Sequence, residues 1–325
     1  MDISNANSEP NYIHYHFFDA FDSTMKTGAA AFTELRAGMR AGDPGTVLQR
    51  AISSAGEGWD YENKWPNPMQ WLGRAYIVFA GMGVVNVFSA LDEFLDGVAA
   101  EYARWQAFRG ASLPAITPRF SQADTQDASV TKGKVLCLDD PAFSFCKAYH
   151  WDTKPIEYLR VCMCCFRLVR NCFGHRNGRC SDALEVVARS QELKDSLAAL
   201  TAAISARALL TVPSVRSGAF IVVKPRHAVL ASIVTKQYAE YMNRQLCKAL
   251  GESGIVYMAA YHALLRDSDP IPTQSKRAET AIGQLLGQRY NVRDADGQSV
   301  IKLLKKMDKW KLCLRRYKRL CEVTG

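Results

Sequence analysis

With 325 residues, 48% hydrophobic and 22% charged, the chain has a globular composition and enough length for one large domain or two smaller ones, which excludes disorder of the whole chain. Its ten cysteines do not predict a disulfide framework, because Met1–Glu9 is polar and lacks the basic start and apolar core of a secretory signal peptide. We therefore predict a cytoplasmic protein with reduced thiols. The formal net charge is +9, and most of it lies in residues 289–325, with 11 Lys and Arg against 4 Asp and Glu.

Apolar residues recur at three- and four-residue steps along most of the chain, so the predicted fold class is mainly all-α. Extended structure is predicted only at Val135–Leu138 and, as a short strand, at Ala219–Val223. The predicted helices, with a break near Gly28 left open, are Ile13–Arg40, Gln70–Phe79, Val84–Phe108, Pro155–Cys172, Asp182–Leu209, Arg226–Leu250, Gly254–Arg266, Ser275–Gln288 and Ser299–Glu322.

Two stretches without a helical pattern interrupt these helices. Gly110–Lys134 predicts a long inserted loop, and Asp267–Gln274, which contains two prolines, predicts a linker near a domain boundary. We predict three segments: an N-terminal helical segment at 1–69, a helical core at 70–250 and a C-terminal helical extension at 251–325.

One segment has to be tested as a membrane span. Ala75–Leu91 has no charged residue, but 17 residues are at the short limit for a span, and glycine, asparagine and serine dilute it. The apolar pattern also continues past Asp92 at helical spacing. A helix buried in the core of a soluble protein is therefore predicted, with no membrane partner.

The clearest chemical signal is the run Arg-Asn-Cys-Phe-Gly-His at 170–175, which follows the apolar helix Pro155–Cys172. Gly174 can end that helix, and a polar, basic loop follows it. Asn171 and His175 are four residues apart and share a face if the last turn is helical. An arginine, an amide and an imidazole then converge at a helix end.

These groups can cleave RNA without a metal ion. Arg170 can hold the scissile phosphate and stabilise its developing charge. His175 can take a proton from the ribose 2′-hydroxyl or give one to the 5′-oxygen, and Asn171 supports them. Arginine and histidine at this spacing are a weak signal alone, but the Asn after the Arg and the helix end make it more specific. The alternative is a structural Arg170–His175 pair that fixes the helix end, with Asn171 as a cap.

A zinc site is a second alternative for this region, because Cys172, Cys180 and His175 are close in sequence. Cys162 and its neighbours Cys164 and Cys165 point to different sides of a helix, however, so small apolar core residues are the preferred interpretation. We predict no metal and no cofactor.

The motif with its flanks, Leu-Val-Arg-Asn-Cys-Phe-Gly-His-Arg-Asn-Gly at 168–178, resembles the Arg-Asn-x-x-x-His signature of HEPN domains (higher eukaryotes and prokaryotes nucleotide-binding). The resemblance implies a bundle of four or five helices, here about 70–250, that dimerises and places two motifs face to face in one ribonuclease site. It also implies an acidic residue on an earlier helix that pairs with the motif arginine. Asp92 or Glu93 is at the expected place, although either could belong to a solvated face.

Two features depart from the family pattern. The loop Gly110–Lys134 separates helices that are closer together in compact members. Members that a partner nucleotidyltransferase modifies have tyrosine two residues after the histidine, where this chain has Asn177, so the resemblance does not extend to that regulation.

Two functional hypotheses follow. The first is a homodimeric, metal-independent HEPN endoribonuclease that leaves a 2′,3′-cyclic phosphate, acts as a toxin or anti-phage effector, and has RNA and an antitoxin or defence-system protein as partners. The second is a non-catalytic HEPN-like module for dimerisation or sensing that binds nucleic acid or a partner protein. The two hypotheses differ in whether two copies bring their His175 side chains into one cleft.

The predicted C-terminal helix Ser299–Glu322 carries a heptad-like apolar stripe flanked by basic residues. It could contact a phosphate backbone, dock on the body with solvated charges, or lie on a membrane surface. The predicted RNA-binding residues are Arg176, Arg179, Lys305, Lys306, Arg315 and Arg316.

Overall fold

The computed structural model describes residues 1–54, 67–111, 129–131, 134–136, 141–207, 210–266, 277–293 and 295–324. These residues are mainly helical, which confirms the predicted all-α class. The elements in chain order are α1 (Glu9–Ala41), α2 (Pro44–Ser54), α3 (Pro68–Phe108), β1 (Ser129–Thr131), β2 (Lys134–Leu136), α4 (Pro141–Ala148), a 3₁₀ turn (Lys154–Leu159), α5 (Arg160–His175), α6 (Asp182–Arg189), α7 (Gln191–Ala203), α8 (Pro225–Ala260), a π-helical turn (Tyr261–Leu265), α9 (Ala278–Gln288), α10 (Gly297–Lys306) and α11 (Trp310–Thr324).

The centre of the fold is formed by the long helices α1, α3 and α8, and α5 packs against α3 and α8. Local sequence explains where the first two begin. Ser8 caps α1 by accepting a hydrogen bond from the backbone N–H of Asn11, and Asn67 caps α3 in the same way through Gln70. A proline in the first turn of each helix needs no N–H donor there.

The structure joins the predicted helices Gln70–Phe79 and Val84–Phe108 into the single helix α3, so the prediction of a break was wrong. The glycines between them are needed for close packing and do not interrupt the helix. A Cβ on Gly81 would overlap the ring of Phe173, and one on Gly83 would also be in tight contact with its neighbours. Gly28 likewise lies within the unbroken helix α1.

Two predicted helices are instead divided. Asp182–Leu209 becomes α6 and α7, because Ser190 is extended and its hydroxyl accepts a hydrogen bond from the backbone N–H of Leu193, which starts a new helix. Ser299–Glu322 becomes α10 and α11, with Asp308 in the left-handed region (φ 54°) between them. Helices α2 and α4 were not predicted from the sequence.

Helix α8 is kinked at Gly251, which has φ 60° and ψ −173°. This kink lies in the gap between the predicted helices Arg226–Leu250 and Gly254–Arg266. It also lies at the predicted boundary between the helical core and the C-terminal extension. A single cluster of buried side chains nevertheless includes residues from all three predicted segments, among them Phe18, Phe88 and Leu304.

The only strands in the described residues, β1 and β2, pair as a short antiparallel hairpin in which Val130 is opposite Val135. This hairpin overlaps the predicted extended segment Val135–Leu138, of which residues 137 and 138 lie outside the described part. At 219–223 the structure has a single β-bridge, between Phe220 and Arg179, and no strand. The predicted linker and most of the predicted loop also lie outside the described residues.

Helix α3 is the one helix of the described residues that is long and apolar enough to cross a membrane by length and composition. Core helices of soluble proteins pass the same test. Val84, Val87, Leu91 and Leu95 are fully buried on this helix, and α3 packs against α1, α5 and α8.

Candidate active site at the end of helix α5

The motif forms the last turn and a half of α5. Gly174 lies inside the helix, so the prediction that it ends the helix was wrong. The chain leaves the helix after His175, where Asn177 (φ 50°) and Gly178 (φ 76°) adopt the left-handed conformation. The backbone N–H of Gly178 donates to the carbonyl of Cys172 at 2.8 Å, which closes the helix end.

This helical last turn places Asn171 and His175 on one face, as the sequence analysis expected. Arg170 Nη1 donates to Asn171 Oδ1 at 3.2 Å, and both side chains are half-buried. His175 is exposed and, among the described residues, makes no hydrogen bond or ion pair. Arg170 therefore bonds to its neighbour, and no such bond joins it to the histidine, contrary to the structural-pair interpretation.

This bond uses only part of the hydrogen-bond donors of the Arg170 guanidinium. Its Nε is buried and has no hydrogen-bond partner within the described parts of the chain. A buried guanidinium nitrogen without a partner is costly, and an anionic ligand at the helix end could supply the missing acceptor.

The two expected acidic residues lie on different sides of α3. Asp92 is buried, and its Oδ1 accepts a hydrogen bond from Arg167 Nη1 at 3.2 Å. The Arg167 guanidinium also lies 5.1 Å from the ring centre of Phe88. Asp92 thus contacts an arginine one helical turn before Arg170, so the expected pairing with the motif arginine was wrong. Glu93 is exposed and lines a cavity away from α5.

The loop after the motif is held by the extended segment at 219–223. The backbone N–H of Ile221 donates to the carbonyl of Gly178 at 2.9 Å. The ring of Phe220 lies so close that a Cβ on Gly178 would be 2.6 Å from it, and it meets Phe173 edge-on at 6.1 Å. Phe173 in turn packs on Gly81 of α3. The motif end is therefore fixed from two sides.

The predicted RNA-binding residues fall into two groups. Arg176 and Arg179 are exposed on the loop beside His175. In the tail, Lys305, Lys306 and Arg315 are exposed, whereas Arg316 is half-buried. Both tail helices pack on the body of the protein: α10 contacts α8 and α9, and α11 contacts the π-helical turn and α9.

The nearby cysteines are placed as packing residues. Cys162, Cys172 and Cys180 are buried free thiols. Burial raises the pKa of Cys162 to about 12 and that of Cys180 to about 11, so both remain protonated near neutral pH. In the part of the chain that the structure describes, no group of three His, Cys, Asp or Glu side chains is placed to hold a metal ion.

A second polar cluster, formed by Glu101, His262 and Tyr290, was not predicted from the sequence. Glu101 is buried in α3, with its Oε1 3.3 Å from His262 Nε2 and within reach of the Tyr290 hydroxyl, which donates to it at 3.4 Å. These residues are far apart in sequence and have no common spacing pattern, so only the fold brings them together.

Comparison with protein-family models, with curated protein sequences and with solved structures found no match to this chain. The motif and its surroundings are therefore the features that indicate a function.

Proposed function

We propose that this chain is a metal-independent endoribonuclease of HEPN type, with one active site formed between two copies. The observation that carries the proposal is the exposed end of α5, where Arg170, Asn171 and His175 occupy neighbouring positions in the final helical turns. Two exposed arginines, Arg176 and Arg179, adjoin them and provide positive charge for a phosphate backbone.

The proposed reaction is transphosphorylation. One His175 takes the proton of a ribose 2′-hydroxyl, and the 2′-oxygen forms a bond to phosphorus as the bond to the 5′-oxygen breaks. The partner subunit's His175 gives a proton to the leaving 5′-oxygen. Arg170 balances the charge that develops on the phosphoryl oxygens. The products are a 2′,3′-cyclic phosphate and a 5′-hydroxyl end.

A second copy is needed because one chain offers only one motif histidine. Exposed apolar side chains beside the motif fit such an interface. Met82, next to Gly81 at the Phe173 contact, is 45% exposed, as is Phe220, and Val78 lies one helical turn from Met82 and is 47% exposed. Exposed apolar groups that cluster on a surface are typical of protein interfaces.

The main experiment is RNA cleavage with end-group analysis. His175→Ala and Arg170→Ala should each lower the rate by about 100-fold or more, because each removes a proposed catalytic group. The matched control is His16→Ala, which removes an exposed histidine on α1 and should leave the rate unchanged. Cleavage should persist in EDTA, and the 3′ end should be a cyclic phosphate.

Loss of cleavage on chelation, or a 3′-hydroxyl product, would contradict the mechanism. Equal activity of wild type and His175→Ala would contradict the assignment of the site.

The dimer is tested separately by sedimentation. Met82→Glu places a charge on the proposed interface and should shift the protein from dimer to monomer and reduce cleavage. Val186→Glu is the control, since Val186 is also exposed, at 39%, but on α6. A monomeric wild-type protein that still cleaves RNA would rule out the composite site.

The second candidate is a non-catalytic dimerisation or sensing module that binds nucleic acid or a partner protein. The contact of Asp92 with Arg167 favours it, because this acidic residue does not orient the motif arginine. In that case neither the wild type nor His175→Ala would cleave RNA, and the substitution would not change the affinity for a partner.

A further inference from the structure

A cavity of about 590 Å³ opens between the start of α1, the middle of α3 and the π-helical turn. Its walls are largely apolar and include Ile13, Phe17, Phe94 and Tyr261. The size falls within the range of small-molecule sites, about 300–1,000 Å³. A pocket of this kind takes a ligand with an apolar or aromatic body.

Four buried side-chain atoms in the residues that line this cavity have no hydrogen-bond partner among the described residues. They are Oε2 of Glu9, Oε2 of Glu101, Nε2 of His14 and Nε2 of His262, of which the last lies 3.3 Å from Glu101 Oε1 as an ion pair. The side chains of Glu9, Glu101 and His14 are between 2% and 7% exposed. Unsatisfied buried polar atoms are rare in folded proteins and call for a partner.

The histidine presents a lone pair at this site. Burial lowers the pKa of His14 to about 3, so its ring is neutral near neutral pH. One ring nitrogen hydrogen-bonds to the carbonyl of Ala90, and Nε2 is the nitrogen without a partner, so Nδ1 carries the proton and Nε2 can only accept.

Carboxyl groups outnumber arginines in the lining of the cavity. Glu9, Glu93, Asp96 and Glu101 line it, against Arg104 and Arg266. The Arg104 guanidinium lies over the Tyr261 ring at 3.9 Å, and Glu9 is paired with Arg289. Burial raises the pKa of Glu101, which a cation beside the carboxyl would oppose. Acceptor atoms and carboxylates together disfavour an anion and favour a ligand that donates N–H groups.

We propose that this cavity binds a small organic cation, an amine or amidine with an apolar or aromatic body, whose N–H groups bond to Glu101 and the neighbouring buried acceptors. A metal ion is not the ligand that the site fits, since no described group of three side chains is arranged to hold one. The site does not depend on the proposed ribonuclease function.

Titration calorimetry of the full chain with benzamidine tests the proposal. Saturable one-to-one binding with a millimolar or tighter dissociation constant is expected, whereas benzyl alcohol, which has the aromatic body without the cation, should bind at least about tenfold more weakly. Glu101→Gln keeps the shape of the side chain and removes its charge, and should weaken the binding of benzamidine by a similar factor.

A blocking variant separates binding in the cavity from binding elsewhere. Ala100 lines the cavity and is exposed, so Ala100→Phe should fill the opening and abolish binding without loss of fold. Ala107→Phe is the same change at an exposed position of α3 outside the cavity, and this variant should bind benzamidine as tightly as the wild type. No saturable binding to the wild type, or equal binding to Ala100→Phe and Ala107→Phe, would overturn the proposal.

Discussion

The motif site and the cavity site lie on opposite sides of α3 and differ in how they are built. Phe88 faces Arg167 of the motif helix, and Gly97 lines the cavity. They are nine residues apart, which is about 180° around the axis at 3.6 residues per turn. The motif site is exposed and comes from one short run of sequence. The cavity site contains buried polar side chains and is lined by residues from Glu9 to Arg266, which are 257 positions apart.

This difference predicts different consequences of substitution. When a buried and paired polar side chain is removed, its partner stays desolvated without a counter-charge. The main effect is therefore a lower free energy of unfolding. When an exposed polar side chain at a helix end is removed, water takes its place. The stability then changes little, and the main loss is in function. Three measurements test this contrast.

The largest effect is expected for the buried ion pair beside the motif. Asp92→Ala should lower the free energy of unfolding by about 3–5 kcal/mol, because the Arg167 guanidinium, whose side chain is 10% exposed, would lose its carboxylate. Urea denaturation measures this change. Glu93→Ala is the adjacent control at an exposed position and should change the stability by less than about 0.5 kcal/mol.

Similar losses for Asp92→Ala and Glu93→Ala would show that the ion pair adds no stability. A loss of several kcal/mol in His175→Ala would also break the contrast, since that residue is exposed.

A smaller effect is expected from the buried histidine of the cavity. The pKa of His14 is about 3 in the folded chain and about 6.5 when unfolded. Below about pH 6.5 the imidazole of His14 is therefore protonated in the unfolded chain but stays neutral in the folded chain. The stability falls as the pH drops towards about 3. Between about pH 7 and pH 5 this costs roughly 2 kcal/mol.

His14→Phe keeps an aromatic ring against Phe94, on which His14 stacks with ring centres 4.9 Å apart, and should remove this part of the acid sensitivity. The exposed residue supplies the control, His16→Phe, which should keep the wild-type pH dependence. His227, with a pKa of about 4, contributes equally to both variants. Parallel stability curves for the two variants would contradict the assignment.

The smallest stability effect is expected in the tail, where the exposed charges should affect only nucleic-acid binding. Changing Lys305, Lys306 and Arg315 together to Gln should leave the melting temperature near wild type and flatten the salt dependence of RNA binding. Each lost phosphate contact should reduce the log–log slope by about 0.7 for a single strand.

Changing Lys26, Lys194 and Lys248 to Gln removes the same number of positive charges from exposed sites outside the tail and serves as the reference. An unchanged salt slope in the first variant would show that the tail charges are only solvated.

The helical class could be predicted from sequence because apolar spacing reports which face of a helix is buried. The continuity of α3 could not, because Gly81 and Gly83 look like a break until Phe173 and its other neighbours are seen against them. The motif was visible because its residues are adjacent, but its acidic neighbour was assigned to the wrong arginine. Asp92 and Glu93 are consecutive, and only packing decides which of them turns inward.

The start of the chain is anchored to residues that are made much later. The backbone N–H of Ser8 donates to Asn243 Oδ1 at 2.8 Å, and that of Asn7 donates to the carbonyl of Tyr290 at 2.7 Å. During synthesis, α1 can therefore form as a helix but cannot reach its final place until most of the chain has left the ribosome. Contacts that are so distant in sequence slow folding, and until they form, the apolar face of α1 with Phe18 and Phe21 is available to chaperones.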